Sequence, residues 1–496
     1  MLIAHDLGTS GNKASLHDVQ GNLIAAVTVG YPTRYAADTT SEQDPQDWWT
    51  AVVAATRQLL ATTGTPAGEI LALCVSGQMM GLVTVDAAGA PVRPAMIWSD
   101  QRAKPQAAAL AERFGDEAAY RLTGHRLGAT YPLPKLMWLR ENEPELYRRV
   151  AKVLMPKDYL NYRLTGVLVT DHSDASSTDA YDLVGGHWSD VLLAAADVDA
   201  ELWPEIVDST TVLGTLSAPA AAELGLNPQT QVIAGGGDGP MASVGAGCVS
   251  TDSAGYVCLG TSAWYSATSD APVFDEERRS FTFRHIVPGL FAPTSTTQTG
   301  AGSLHWAAQA LGELPTEVEE LIGAAAEVEA AAEGLFFLPY LIGERSPWWD
   351  TDASGAFLGL RMHHRRPHLT RAVLEAVGYS LALCMAPLRA NSADAPIDVI
   401  GGGATSERWL GLLADIWGVG VRRRSVTTQA NSLGAAVTGL VGLGLADFSI
   451  ANRLSAVDAE FAPGTESRSH AAHLSRFTDA YLALRPWFSP TQGRTV

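Results

Sequence analysis

The chain has 496 residues, 47% hydrophobic and 18% charged, with a formal net charge of −19. At ~100–200 residues per domain this is a globular protein of two large domains or up to four, and its acidity argues against nucleic acid or an anionic membrane as partner. Four scattered cysteines (Cys74, Cys248, Cys258, Cys384) show no CxxC pair or disulfide framework, which fits a reducing cytoplasm.

The opening MLIAHDLGTS meets charge and glycine too early for a signal peptide, and no run approaches the ~18 apolar residues of a membrane span. Residues 2–4 are a short apolar run ending in Asp6-Leu7-Gly8-Thr9-Ser10-Gly11-Asn12-Lys13. Strand character resumes at 14–16 and 23–29, around a turn at Gln20-Gly21-Asn22. The loop suits a phosphate: glycine for close approach, the Thr9 and Ser10 hydroxyls and backbone N–H groups as donors, Lys13 for charge. Asp6 beside phosphate is tolerable only with a cation such as Mg²⁺ between them.

Asp44 caps a helix that Pro45 opens, with Trp48, Trp49, Val52, Val53, Leu59 and Leu60 as its apolar face. A strand at 70–75 leads through Ser76-Gly77-Gln78-Met79-Met80-Gly81 to a returning strand at 82–85. Met96-Ile97-Trp98 then runs into Ser99-Asp100-Gln101-Arg102. Gln78, Met79, Met80, Trp98 and Asp100 supply the amide, carboxylate and aromatic mixture of a small polyol pocket, although the methionines suit a core equally. Helices are expected at 103–114, 135–140, 143–150, 158–164 and 190–197, with a polar loop at 171–177 that either lines a cleft or supplies caps.

At 231–247, QVIAGGGDGPMASVGAG, an apolar strand ends in three glycines, then Asp238, then Gly239-Pro240 opening a small-residue helix. The glycines admit a backbone or ligand at close range. A carboxylate at this junction reads as a general base or metal anchor, the alternative being an ordinary helix cap. Leu7-Gly8-Thr9-Ser10 recurs as Leu259-Gly260-Thr261-Ser262, again after a strand-like run. A duplicated fold follows, each half donating a phosphate loop to one nucleotide. Farther on come a helix at 303–311, a strand at 336–341, a long helix at 369–386 and a strand at 398–400. Gly401-Gly402-Gly403 follows that strand, before helices at 407–417 and 431–440. No Gly-Lys pair occurs, so this is not a P-loop protein.

Several long motifs in one order carry a resemblance: Ser41-Glu-Gln-Asp-Pro45, Tyr131-Pro-Leu-Pro-Lys135-Leu-Met-Trp138, Pro156-Lys-Asp-Tyr-Leu160, Phe337-Leu-Pro-Tyr340, Gly355-Ala-Phe-Leu-Gly359-Leu360 and His368-Leu-Thr-Arg-Ala-Val-Leu-Glu375. From Asp6 to about Leu445 the chain resembles the FGGY family of carbohydrate kinases, of the actin-like ATPase-fold superfamily. The resemblance implies an α/β protein of two duplicated actin-like (ribonuclease H-like) domains, a sugar-binding one over 1–246 and a nucleotide-binding one over 247–496, closing on a central cleft. It implies ATP and Mg²⁺, with Asp238 as catalytic base and Asp6 and Asp238 at the metal. Thr9, Ser10 and Lys13 fall on the first phosphate loop, Gly260 and Thr261 on the second, and Gly402, Gly403 and Ser406 at the adenosine. Gln78, Met79, Met80, Trp98, Asp100 and Asp238 fall at the sugar.

The expected reaction is phosphorylation of a sugar hydroxyl, D-xylulose first, with another ketose, a polyol or an aldonate such as gluconate as the alternative. Two positions depart from the pentulose pattern. Met80 stands where those members place His, and Gly239 where they place Asn. A non-catalytic ATP or sugar sensor is a further alternative, but it would be free to lose Asp6 or Asp238. The expected partners are sugar and ATP in the cytoplasm, without nucleic acid or membrane, and a homodimer is left open.

Overall fold

Each half of the chain builds one mixed sheet, and the two sheets share a plan. The computed structural model describes residues 1–36, 39–312, 318–389 and 392–488. In the first sheet the strands run Val212–Thr215, Gln231–Gly237, Ala72–Gly77, Leu2–Leu7, Gly11–His17, Leu23–Gly30. The Leu2–Leu7 strand pairs parallel to Ala72–Gly77 and antiparallel to its hairpin partner. The second sheet runs Val457–Phe461, Val421–Arg424, Ile397–Ile400, Tyr256–Leu259, Ala263–Ser266, Phe291–Thr297, with Phe281–Arg284 added at the edge. Its parallel and antiparallel pairings repeat those of the first, strand for strand. Both copies of Leu-Gly-Thr-Ser therefore leave equivalent central strands, as the duplicated motif required.

The helix Pro45–Thr63 begins as expected: Asp44 accepts from the Gln46 N–H, and Pro45 sits where no N–H is needed. Its face of Trp48, Trp49, Val52 and Leu59 is buried on the first sheet with Ile3, Leu73 and Val75. A second helix on that sheet comes from the far end of the chain. Ala430–Gly442 packs Leu433, Ala436 and Val437 against Leu2, Ala4, Cys74 and Ile233. Glycine lets this helix cross helix Asp238–Gly245 at close range: a Cβ at Gly434 would lie 2.0 Å from Met241 O, and one at Gly245 1.9 Å from Ala430 O. The division at 246/247 is thus one of chain order, and in space the later half returns to the earlier sheet. The long apolar helix Arg366–Met385 is mostly buried in the second core and serves as that core's spine.

Two local expectations differ from the structure, and one left open is decided by it. Val83–Val85 does not return along the first sheet but pairs with Lys152–Leu154. The segment 143–150, half of it charged, yields only Pro144–Tyr147 as helix, while Asp116–Thr123, where no helix is expected, forms one. Of the two alternatives for residues 171–177, the structure has the caps: the segment is mostly buried and away from the cleft. Asp171 caps Ser173 and Asp174, and the segment surrounds the buried Lys157, whose Nζ lies 2.5 Å from Asp158, 3.2 Å from Asp171 and 3.5 Å from Asp174. Burial alone would lower the Lys157 ammonium, but Asp158, Asp171 and Asp174 together raise it, so it stays charged.

Candidate active site

The strand Gln231–Gly237 is forced into its path by three close approaches. Gly235 has φ +68, and a Cβ there would sit 2.0 Å from Val75 O, where the pairing with Ala72–Gly77 slips register. A Cβ at Gly236 would meet Ile286 at 2.4 Å, and one at Gly237 would meet Met79 at 2.6 Å. The glycines thus make room for protein rather than ligand. The Gly237 N–H donates to Ser173 Oγ at 2.9 Å, and Ser173 Oγ donates to Asp171 at 2.6 Å, so the buried charge cluster fixes the end of the strand. Asp238 follows as the first residue of helix Asp238–Gly245. Gly237, not Asp238, takes the cap position, which removes the capping alternative.

Asp238 is half-buried on the wall of a cavity of about 310 Å³. Burial first, and then the charge of Asp6, push its carboxyl up to about 7. Asp6 is buried and accepts from Ser76 Oγ at 3.2 Å and from Asn431 Nδ2 at 3.3 Å. Burial raises its carboxyl as well, opposed by Lys13 and by those two donors. Two carboxyls held this way, with one exposed lysine nearby, form a donor set that suits a hard divalent cation.

Thr9, Met79, Met80 and Trp98 line the cavity with Asp238, while Thr9 also belongs to the first loop. Trp98 Nε1 donates to Thr9 Oγ1 at 2.9 Å, joining the aromatic turn to that loop. The loop's carbonyls are tied from behind: Gln43 Nε2 donates to Thr9 O at 2.6 Å and the Tyr31 hydroxyl to Gly8 O. Ser10 and Lys13 stay exposed, with side chains free to meet a ligand. In the second loop, the Gly300 and Ala301 N–H groups donate to Thr261 O and Gly260 O at 2.8 and 2.7 Å, which locks it to the helix Ala301–Ala310. A Cβ at Gly403 would strike Leu259 at 2.5 Å, so the third glycine run packs on the second loop's own strand. Gly402 faces open space, and Ser406 Oγ is buried without a partner at the start of helix Glu407–Trp417.

Gln78 and Asp100 do not line the cavity. Gln78 donates to Gln43 at 2.8 Å, while Asp100 accepts from the Ser41 N–H and, at two oxygens, from Arg102. Both brace the turns from behind. The far wall, from the second half, is what sequence reasoning missed: Trp264, Phe281, Phe283, Thr294, Thr296 and Arg345. The Ala-Trp-Tyr-Ser run directly after the second Leu-Gly-Thr-Ser was the available signal for Trp264. All four cysteines are free, and burial pushes Cys74 and Cys258 up to about 12, so neither is a ready nucleophile. A surface group of Glu333, His363 and His364 has ligand atoms within 4.8 Å of one another. His364 Nδ1 already accepts the Arg361 N–H, so the ring's other nitrogen carries the proton and is no metal ligand as placed.

Two matching sheets whose strand-end loops face one cavity, with a raised carboxyl between them, define an enzyme of the actin-like ATPase fold built for phosphoryl transfer. Models of the N-terminal and C-terminal domains of the FGGY carbohydrate kinases match residues 1–245 and 255–443, and the chain belongs to that family. It is 37% identical to the xylulose kinase of Escherichia coli K12, over 88% of this chain and 89% of that one. Among solved structures it is similar to a ligand-bound xylulose kinase from Lactobacillus acidophilus, with TM-score 0.92 and 27% identity over 98% of both chains. A gluconate kinase from the same organism gives the same TM-score and identity, over 97% of this chain and 98% of that one.

Proposed function

We propose that the protein transfers the terminal phosphoryl group of ATP to D-xylulose, giving D-xylulose 5-phosphate. The observation that carries this reading is Asp238. Its carboxyl is poised near neutrality on the wall of a polar and aromatic cavity, between two loops suited to phosphate. Asp238 takes the proton from the attacking hydroxyl as the new P–O bond forms, a role that contributes ~10²–10⁴-fold. Thr9, Ser10 and Lys13 hold the phosphates from one side, Gly260 and Thr261 from the other, and Gly402, Gly403 and Ser406 form the adenosine end. Asp6 and Asp238 would hold Mg²⁺, which would supply charge neutralisation on the transferred group. Met79, Met80 and Trp98 face the sugar, and Gln78 and Asp100 act from behind them. Burial of the acceptor between the halves keeps water from competing for the phosphoryl group. The net charge of −19 and the small cavity support sugar and ATP in the cytoplasm as partners, rather than nucleic acid or a membrane surface.

The choice of D-xylulose rests on the kinship with xylulose kinases. Arg345 favours a second reading. It faces the cavity near the rings of Phe281 and Trp349, at 5.6 and 5.8 Å, with the Tyr131 hydroxyl as a side-chain hydrogen-bond partner and the neighbouring Glu344 carboxylate within its electrostatic reach. A guanidinium so placed suits an aldonate such as gluconate. Acceptor-dependent ADP release with ATP and Mg²⁺, run across ketopentoses, pentitols, gluconate and glycerol, tests both. The expected result is the highest kcat/KM with D-xylulose. Preference for gluconate would transfer the assignment to Arg345, and no acceptor at all would contradict a kinase.

A further inference from the structure

Two turns present the first half's cavity residues, and one buried ammonium joins them. Lys135, on helix Pro132–Asn142, is fully buried, and its Nζ donates to Met80 O at 2.9 Å and to Ile97 O at 2.7 Å. Met80 and Trp98, the residue after Ile97, both line the cavity. Met80 is also held at φ +63, a left-handed conformation that an unbranched L side chain rarely adopts without outside support. Its N–H contact, to Ser177 Oγ, is a long 3.4 Å. Tyr131, one turn before Lys135, packs beneath Met79 and Met80 in the same cluster.

We propose that Lys135 is a positioning residue for the acceptor: one ammonium, donating to both carbonyls, holds the Met80 and Trp98 turns at a fixed separation and so sets the width of the sugar's seat. The inference rests on the sugar occupying this cavity. Two carbonyls from separate turns converge on one dry point, where leaving either unpaired is costly. Burial pulls the Lys135 group down to about 7, helped by Arg102 and opposed by Asp100, and with or without its extra proton it keeps the two N–H donors the two carbonyls need. Trp98 in turn reaches Thr9, so the brace also aligns the sugar turn with the first phosphate loop.

The test is steady-state kinetics of Lys135→Met and Lys135→Arg beside the wild type, with melting curves to confirm folding. Lys135→Met should raise the acceptor KM about tenfold or more while the ATP KM stays within about twofold. Lys135→Arg, which keeps charge and two donors, should recover the acceptor KM to within about fivefold of wild type. Acceptor and ATP KM rising together, or neither moving in a folded Lys135→Met, would overturn the proposal and leave Lys135 a core residue. Should Lys135→Met fail to fold, Lys135→Gln decides, because its amide is uncharged and too short to span both carbonyls. An acceptor KM raised threefold or more with ATP KM unmoved supports the brace; an unmoved acceptor KM overturns it. A wild type with no acceptor activity would instead overturn the sugar-kinase reading itself, before any variant is compared.

Discussion

The two halves repeat one strand plan, yet they end equivalent strands in different chemistry. Where the first half has Asp6-Leu7-Gly8-Thr9-Ser10, the second has Cys258-Leu259-Gly260-Thr261-Ser262. Where the strand Gln231–Gly237 delivers Asp238 to the cavity, its counterpart Val421–Arg424 ends in an arginine neutralised inside the protein, with Nε 2.8 Å from Asp398. The first half leaves two raised carboxyls at the cleft, whereas the second offers backbone, hydroxyls and a protonated thiol. On the proposed assignment, duplication supplies the phosphate cradle twice and the acid–base chemistry once.

That asymmetry can be broken deliberately. Asp238→Asn removes the base while keeping the shape; kcat should fall by ~10²–10⁴-fold or more, with nucleotide affinity by calorimetry within about threefold. Cys258→Asp writes the first half's carboxyl in ahead of the second loop, where burial and the Asp238 charge oppose it and Lys13 offsets only part of that cost. It should cost about tenfold in kcat/KM for ATP, roughly one pKa unit of like-charge interaction, while Cys258→Ser stays within about twofold. Met80→His with Gly239→Asn restores two polar partners for sugar hydroxyls. At about 0.5–1.5 kcal/mol for a net hydrogen bond, the D-xylulose KM should drop roughly two- to tenfold, and His tolerates the left-handed backbone at position 80 better than most residues.

The smallest effect is on stability. A carboxyl whose pKa is raised on folding stabilises the protein while it is protonated and costs stability as pH climbs from its unfolded value toward about 7. Asp238→Asn should therefore melt a few degrees above wild type at pH 8, and at a similar temperature near pH 4. A wild type that melts higher than the variant at pH 8 would contradict the raised carboxyl.

Much of this was legible in the chain because the chemistry is local. Asp238 stands at a strand–glycine–helix junction, and the repeated Leu-Gly-Thr-Ser pairs with short apolar strands, so spacing alone marks both. The far cavity wall was not legible. Phe281, Phe283 and Arg345 meet Met80 only through strand pairings and loops far apart in sequence, and nothing local marks them. Asp171 and Asp174 read as a polar loop in the chain and Lys157 and Asp158 as a motif opening a helix, because only folding reveals that their opposite charges cancel within one buried site. Gln78 and Asp100 were placed at the sugar by neighbourhood, but the backbone turns both side chains into hydrogen bonds behind it.

The most direct test of Asp238 as the single base between two phosphate cradles is the pH dependence of kcat/KM for the acceptor, measured on wild type and Asp238→Asn together. The carboxyl must be ionised to accept the proton. Wild-type kcat/KM should therefore fall about tenfold per pH unit on the acid side of the carboxyl's midpoint, which burial raises and bound Mg²⁺ draws back down, and level off above it, while the residual rate of the variant stays flat over that range. A wild-type profile without that limb, or the same limb persisting in Asp238→Asn, would assign the base to another group.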